Sequence, residues 1–249
     1  MEIFLKILKI VGLVLAGAAG YVLLSVIIGF LSGLFTGHKK EYKTDSKFYR
    51  FVLNSMTGLV LFFARVKIVK KGVDLPEGRF LIVGNHRSNL DPIVSWYKFR
   101  KKNISYISKP QNLKIPFYGA IVRRCCFLPI DRESARNAVT TIEKAAELLK
   151  NDVVSIGVYP EGTRSKTCRL LKFHNGVFKI AQKAEVPIVV VSVSGTEKVK
   201  KNCPWRRTVV TLDVAEVIPP EVHMTMQTNE IGEHVRALLA ERLEEEYRS

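Results

Sequence analysis

The sequence predicts an α/β fold: a layered, mostly parallel central sheet flanked by helices, with an N-terminal membrane-anchoring helical region ahead of it. Three observations predict it. Short apolar runs of strand length, among them residues 80–83, 152–159 and 188–194, alternate with stretches of helical spacing. From residue 10 to residue 35 no charge interrupts the chain. Polar, chemically capable residues gather just after the apolar runs, where the strand-end loops of a parallel sheet meet their ligands.

The charge-free run is the anchor. About 20 apolar residues cross a bilayer core, and this run is longer. A cleaved signal peptide would carry an apolar stretch of only about 7–15 residues, so anchoring is the preferred reading. Lys39, Lys40, Lys43 and Lys47 follow the run, while only Lys6 and Lys9 precede it. By the positive-inside rule this places the protein in the cell membrane with its body facing the cytoplasm. A second apolar stretch, residues 48–66, is interrupted by Arg50, Asn54 and Arg65. It reads equally as an interfacial helix or as a core helix. The chain thus divides into residues 1–64, anchor and interfacial helix, and residues 65–249, the body.

With 249 residues, 47% of them hydrophobic, the chain beyond the anchor suits one compact domain with a real core. The net charge is +16. Basic clusters such as Lys98, Arg100, Lys101 and Lys102, and Lys198, Lys200, Lys201, Arg206 and Arg207, point to an anionic membrane or an acidic carrier. Helix-turn-helix, zinc-finger and aromatic RNA-binding signatures are absent, so no nucleic acid partner is expected. The four cysteines lack metal-site spacing and disulfide density; Cys125 and Cys126 read as strand filling.

Along the body, strands are expected at 65–72, 80–83, 104–108, 125–130, 152–159 and 188–194, and an edge or extra strand at 208–217. Helices are expected from Asp91, as N-cap with Pro92 at the first helical position, and over 116–122, 133–150, 175–184 and 230–246.

Five strand-end loops collect the polar residues: 85–91, 108–110, 129–132, 159–165 and 194–196. His86 follows the apolar strand directly and Asp91 comes five residues later. A loop folding back over that interval lets the carboxylate hold one imidazole nitrogen, leaving the other to take a proton. The same spacing fits a plain helix cap beside an ordinary loop histidine. No Gly-x-Ser-x-Gly elbow supplies a nucleophile, which favours direct activation of a substrate hydroxyl. The turn Glu161-Gly162-Thr163-Arg164-Ser165 offers hydroxyl, backbone and guanidinium donors suited to phosphate, and Lys109 and Arg132 sit at two other strand ends.

Asn85-His86-Arg87-Ser88-Asn89-Leu90-Asp91 resembles the Asn-His-x4-Asp motif of the glycerolipid acyltransferases, and Tyr159-Pro160-Glu161-Gly162-Thr163-Arg164-Ser165 resembles their second hallmark. Residues 109–132 look like the family's acceptor-binding stretch, and Val186-Pro187-Ile188-Val189-Val190-Val191 resembles its last block, with Val190 where a second proline is frequent. The resemblance is closest to the bacterial 1-acyl-sn-glycerol-3-phosphate acyltransferases and covers residues 65–220. It implies that lysophosphatidic acid and an acyl thioester, on coenzyme A or acyl-carrier protein, give phosphatidic acid, with no cofactor or metal beyond that co-substrate. It further implies His86 as base and Asp91 as its orienting partner. Lys109, Arg132, Glu161, Gly162, Thr163 and Arg164 would form the phosphate site, and Val186, Pro187 and Ile188 the acyl-donor region. Another acceptor, such as glycerol-3-phosphate, or a non-catalytic lipid-binding role stands as the alternative.

Overall fold

A computed structural model describes residues 1–36, 40–131 and 134–243. Lys39 of the lysines after the anchor, Arg132 of the expected phosphate site, and the expected helix ends at Glu133 and Glu246 lie outside these residues. The chain opens with α1 (Glu2–Phe35) and α2 (Lys47–Phe63). The body then runs β1 (Val66–Gly72), β2 (Leu81–Gly84), α3 (Leu90–Lys98), β3 (Ile104–Ser108), α4 (Tyr118–Arg124) and β4 (Leu128–Pro129). It continues through α5 (Ala135–Lys150), β5 (Ser155–Val158), α6 (Lys179–Ala184), β6 (Ile188–Ser194), α7 (Thr196–Asn202), β7 (Thr208–Ile218), α8 (Pro220–His223) and α9 (Thr228–Arg242).

The seven strands form one sheet in the order β1-β7-β6-β2-β5-β3-β4. Five of them, β2 to β6, run parallel, as the sequence predicts. β7 turns back antiparallel to β6, and β1 pairs parallel with β7. The 208–217 segment is therefore not an edge: β1 covers its outer side. The 125–130 run shortens to a two-residue strand because Cys126 adopts a left-handed backbone (φ 60°), which ends α4 in a turn.

Side-chain alternation sorts the strands into two cores. Leu81 and Val83 face α5, α6 and α9, packing with Ile142, Leu149, Phe178, Val235 and Leu239. Phe80 and Ile82 face α2, α3, α4 and α7, packing with Leu53, Val94, Trp96, Val122 and Val199. The buried strands are apolar on both faces, the pattern of a covered parallel sheet. Each buried Leu, Ile or Phe contributes about 1.5–3 kcal/mol, so both layers are held firmly.

One helix among the described residues, Glu2–Leu31 within α1, is long and apolar enough to cross a membrane. Its far end packs on the body, with the Phe30 and Phe117 rings 5.3 Å apart. Helix α2 buries one side against the body and leaves apolar residues exposed on the other. Arg50 turns inward, pairing with Asp45 at 2.8 Å and donating to the carbonyl of Ile104, while Val52, Leu53, Thr57 and Leu61 are buried. Phe48, Phe51, Val60, Phe62 and Phe63 remain exposed on its other side.

Candidate active site

β2 ends at Gly84, and the next five residues cross the carboxyl edge of the sheet before α3 winds up. Asn85 fastens the start of this loop to β6. Its amide donates to the carbonyl of Val193 (2.9 Å), and its own carbonyl accepts from the Val193 N–H (2.8 Å). His86 follows, with Nδ1 2.8 Å from Asp91 Oδ2. A carboxylate only accepts, so it holds the proton on Nδ1 and leaves Nε2 as the basic nitrogen.

Asp91 is fully buried and caps no helix. The N-cap of α3 is Asn89, without a side-chain bond, and Pro92 falls later in the first turn, where its missing N–H still costs nothing. The Asp91 carboxylate folds back over its own loop instead. Oδ2 accepts from the backbone N–H groups of Arg87 and Ser88, both at 2.7 Å, and Oδ1 accepts from the Thr196 hydroxyl at 2.5 Å. Four donors thus hold this carboxylate, the arrangement that keeps a buried charge tolerable.

Thr196 and its neighbour were absent from the predicted site. Gly195 adopts φ 90°, and a Cβ there would meet the Val209 carbonyl at 2.4 Å, so only glycine lets the chain swing Thr196 under Asp91. One residue on, Glu197 Oε2 lies 3.6 Å from Arg87 Nη1, a pair with little solvent access. The start of α7 therefore holds the histidine loop at Asp91 and at Arg87. The signal in the sequence was the polar Ser194-Gly195-Thr196 at a strand end, visible without its target.

The second hallmark loop, after β5, braces the histidine from the other side. The Tyr159 ring stacks on His86 at 4.4 Å and 15°, and Tyr106 stacks behind Tyr159 at 5.7 Å and 13°. Gly157 makes room for this column: a Cβ there would lie 2.3 Å from the Tyr106 ring. Burial raises the pKa of both phenols, so they stay protonated. Glu161, expected in the phosphate site, does not line the cavity beside His86. Its carboxylate is buried and turned inward, accepting from the backbone N–H of His86 (2.6 Å) and of Leu171 (3.0 Å). Burial raises its pKa, and the two backbone donors partly offset that. With both oxygens engaged, Glu161 positions the loop and offers nothing to an anion.

His86 opens onto a cavity of about 810 Å³. Gly162, Thr163, Arg164 and Lys109 line it with His86, and the Thr163, Arg164 and Lys109 side chains are exposed. Its remaining wall includes Ile93, Trp96, Ile107, Phe127, Ile142 and Val177. The cavity is thus cationic on one part of its lining and apolar on another. Val186, Pro187 and Ile188 are not part of it. They precede and begin β6, at the sheet edge opposite His86, where the Pro187 carbonyl accepts from Leu81 N–H and the Val186 carbonyl accepts from His223. Seven residues of strand, about 3.3 Å each, separate that edge from the site. Among the described residues no hydroxyl or thiol hydrogen-bonds the His86 ring, and no cluster of three His, Cys, Asp or Glu side chains could hold a metal ion.

An α/β sheet with a His86–Asp91 pair at its carboxyl edge, its carboxylate buried, beside a partly apolar cavity that also carries cations, is the setting of the comparisons. The family model described as Acyltransferase matches residues 65–194. The chain is 32% identical over 189 residues to the 1-acyl-sn-glycerol-3-phosphate acyltransferase of Salmonella typhimurium, covering 74% of this chain and 75% of that one. It is 29% identical over 240 residues to the enzyme of the same description from Saccharomyces cerevisiae, covering 95% and 76%. Among solved structures, the 1-acyl-sn-glycerophosphate (LPA) acyltransferase PlsC from Thermotoga maritima superposes with a TM-score of 0.61 at 25% identity, covering 77% of this chain and 78% of that one. The chain belongs to the acyltransferase family.

Proposed function

We propose that this protein acylates the sn-2 hydroxyl of lysophosphatidic acid, drawing on an acyl thioester and releasing phosphatidic acid and a free thiol. The observation that carries the reading is the His86–Asp91 pair opening onto a cavity lined by Lys109 and Arg164 on one part and by apolar side chains on the rest. The acceptor combines a phosphate with a hydroxyl and an acyl chain, and such a lining suits all three.

In this reading His86 Nε2 takes the proton of the acceptor hydroxyl, and the oxygen attacks the thioester carbonyl. The carbon–sulfur bond breaks, and the imidazolium returns the proton to the departing sulfur. Asp91 stabilises the imidazolium while it exists and keeps the ring in the required tautomer. Arg164, Lys109 and Thr163, with the Gly162 turn, bind the phosphate. The donor is an acyl thioester carried on coenzyme A or on acyl-carrier protein. The enzyme works at the cell membrane, held by α1, with its body on the cytoplasmic side where Lys40, Lys43 and Lys47 follow the anchor.

Purified protein in bilayer nanodiscs, offered labelled lysophosphatidic acid, glycerol-3-phosphate and larger-headed lysophospholipids with an acyl-coenzyme A, tests this. Turnover is expected for lysophosphatidic acid. Turnover only of another acceptor, or of none, overturns the assignment.

A further inference from the structure

Outside the cavity, the largest oddity on the surface is Trp205, which is 85% exposed. It sits in the loop between α7 and β7, within Lys198-Val199-Lys200-Lys201-Asn202-Cys203-Pro204-Trp205-Arg206-Arg207. This stretch holds five cations and no acidic residue, and all five cations are exposed.

The sheet register fixes where the loop lies. β7 is antiparallel to β6, with Thr211 opposite Ser194, so β7 begins at the edge where β6 ends. Gly84 stands opposite Val191 in the parallel β2–β6 pair, so the His86 loop leaves from that same edge. β1 is parallel to β7, with Val66 opposite Thr208, so α2 finishes there as well. Direct contacts close the junction: Arg65 donates to the Trp205 carbonyl (3.3 Å), and Thr208 N–H donates to the Arg65 carbonyl (3.1 Å). The exposed rings Phe62 and Phe63, the last residues of α2, therefore flank the same junction as Trp205.

The geometry points to a second membrane contact, separate from α1: the 203–207 loop seats Trp205 at the head-group level of an anionic bilayer, and Arg206, Arg207 and the α7 lysines bind lipid phosphates. Indole favours that depth because its body is apolar and its N–H polar. The cations add attraction to anionic lipid within a Debye length. An acidic protein would satisfy the charges but leave Trp205, Phe62 and Phe63 without an apolar partner. The contact holds the sheet edge that carries His86 against the surface from which a lipid substrate arrives. It rests on the reading of the enzyme as membrane-bound.

The chain has two tryptophans, and the other, Trp96, is buried. The difference between wild-type and Trp205→Phe fluorescence thus reports on Trp205. The full chain is placed in nanodiscs of phosphatidylcholine with and without phosphatidylglycerol, and in neutral detergent micelles. With phosphatidylglycerol, Trp205 emission is expected to shift blue, to be quenched by lipids brominated near the head group, and to lose acrylamide access several-fold. Arg206→Glu/Arg207→Glu should restore that access while leaving turnover in neutral micelles unchanged. Trp205 equally open to acrylamide in discs and micelles, protection independent of phosphatidylglycerol, or protection by acyl-carrier protein without a bilayer would each overturn the proposal. An open Trp205 with normal acylation of lysophosphatidic acid sinks the contact alone. A protected Trp205 without acylation sinks the proposed reaction and keeps the contact.

Discussion

The Thr196 hydroxyl donates to Asp91 Oδ1 at 2.5 Å, on the carboxylate whose other oxygen holds the His86 ring. A donor to a buried carboxylate is worth about 1.5–3 kcal/mol, so its loss is felt in catalysis. Thr196→Val, nearly isosteric, should lower kcat about tenfold or more and leave both KM values close to wild type. Thr196→Ser should restore the rate. A stability loss without a lowered kcat would make Thr196 merely structural.

Glu161 gives a prediction in which stability and pH are linked. Its folded pKa lies above the ordinary 4.5 through burial, so the folded state holds this proton more tightly than the unfolded chain does. The stability tied to that proton is full below pH 4.5 and is lost as pH rises through the raised folded value. Glu161→Gln removes this dependence and leaves one backbone donor facing an amide NH₂, at a cost of about 1–3 kcal/mol. The Tm gap between wild type and Glu161→Gln, measured across acidic pH, should therefore narrow as pH rises. A gap that widens contradicts the assignment.

Arg164 faces the cavity, whereas Glu161 does not. Arg164→Ala should raise KM for the acceptor about tenfold, the worth of one charge-assisted phosphate contact, and should barely change KM for the thioester. Initial rates with each substrate varied separately decide it; equal effects on both would place Arg164 elsewhere in the mechanism.

The parallel centre of the sheet and the loop at His86 were legible because local sequence carries them. Residues 80–83 are apolar throughout, and the polar run after them has no place in a covered strand. What the sequence hid is long-range. Whether Asp91 caps α3 or holds His86 depends on Thr196, 105 positions away, and on a loop that folds back. Glu161 resembled an anion-binding residue until its two backbone donors fixed it inward. The interior place of β7 followed from β1 adding outside it, which no pattern within 208–217 reveals. Val186 to Ile188 were assigned by resemblance, and the strand direction puts them at the far edge.

The central claim is that His86 activates an acceptor hydroxyl, and His86→Ala tests it most directly. Full-length protein in nanodiscs, with lysophosphatidic acid and a labelled acyl-coenzyme A, should form phosphatidic acid. His86→Ala should lower kcat by about 10²–10⁴ and leave acceptor KM and Tm little changed. A folded His86→Ala protein that acylates lysophosphatidic acid at near the wild-type rate would contradict the account.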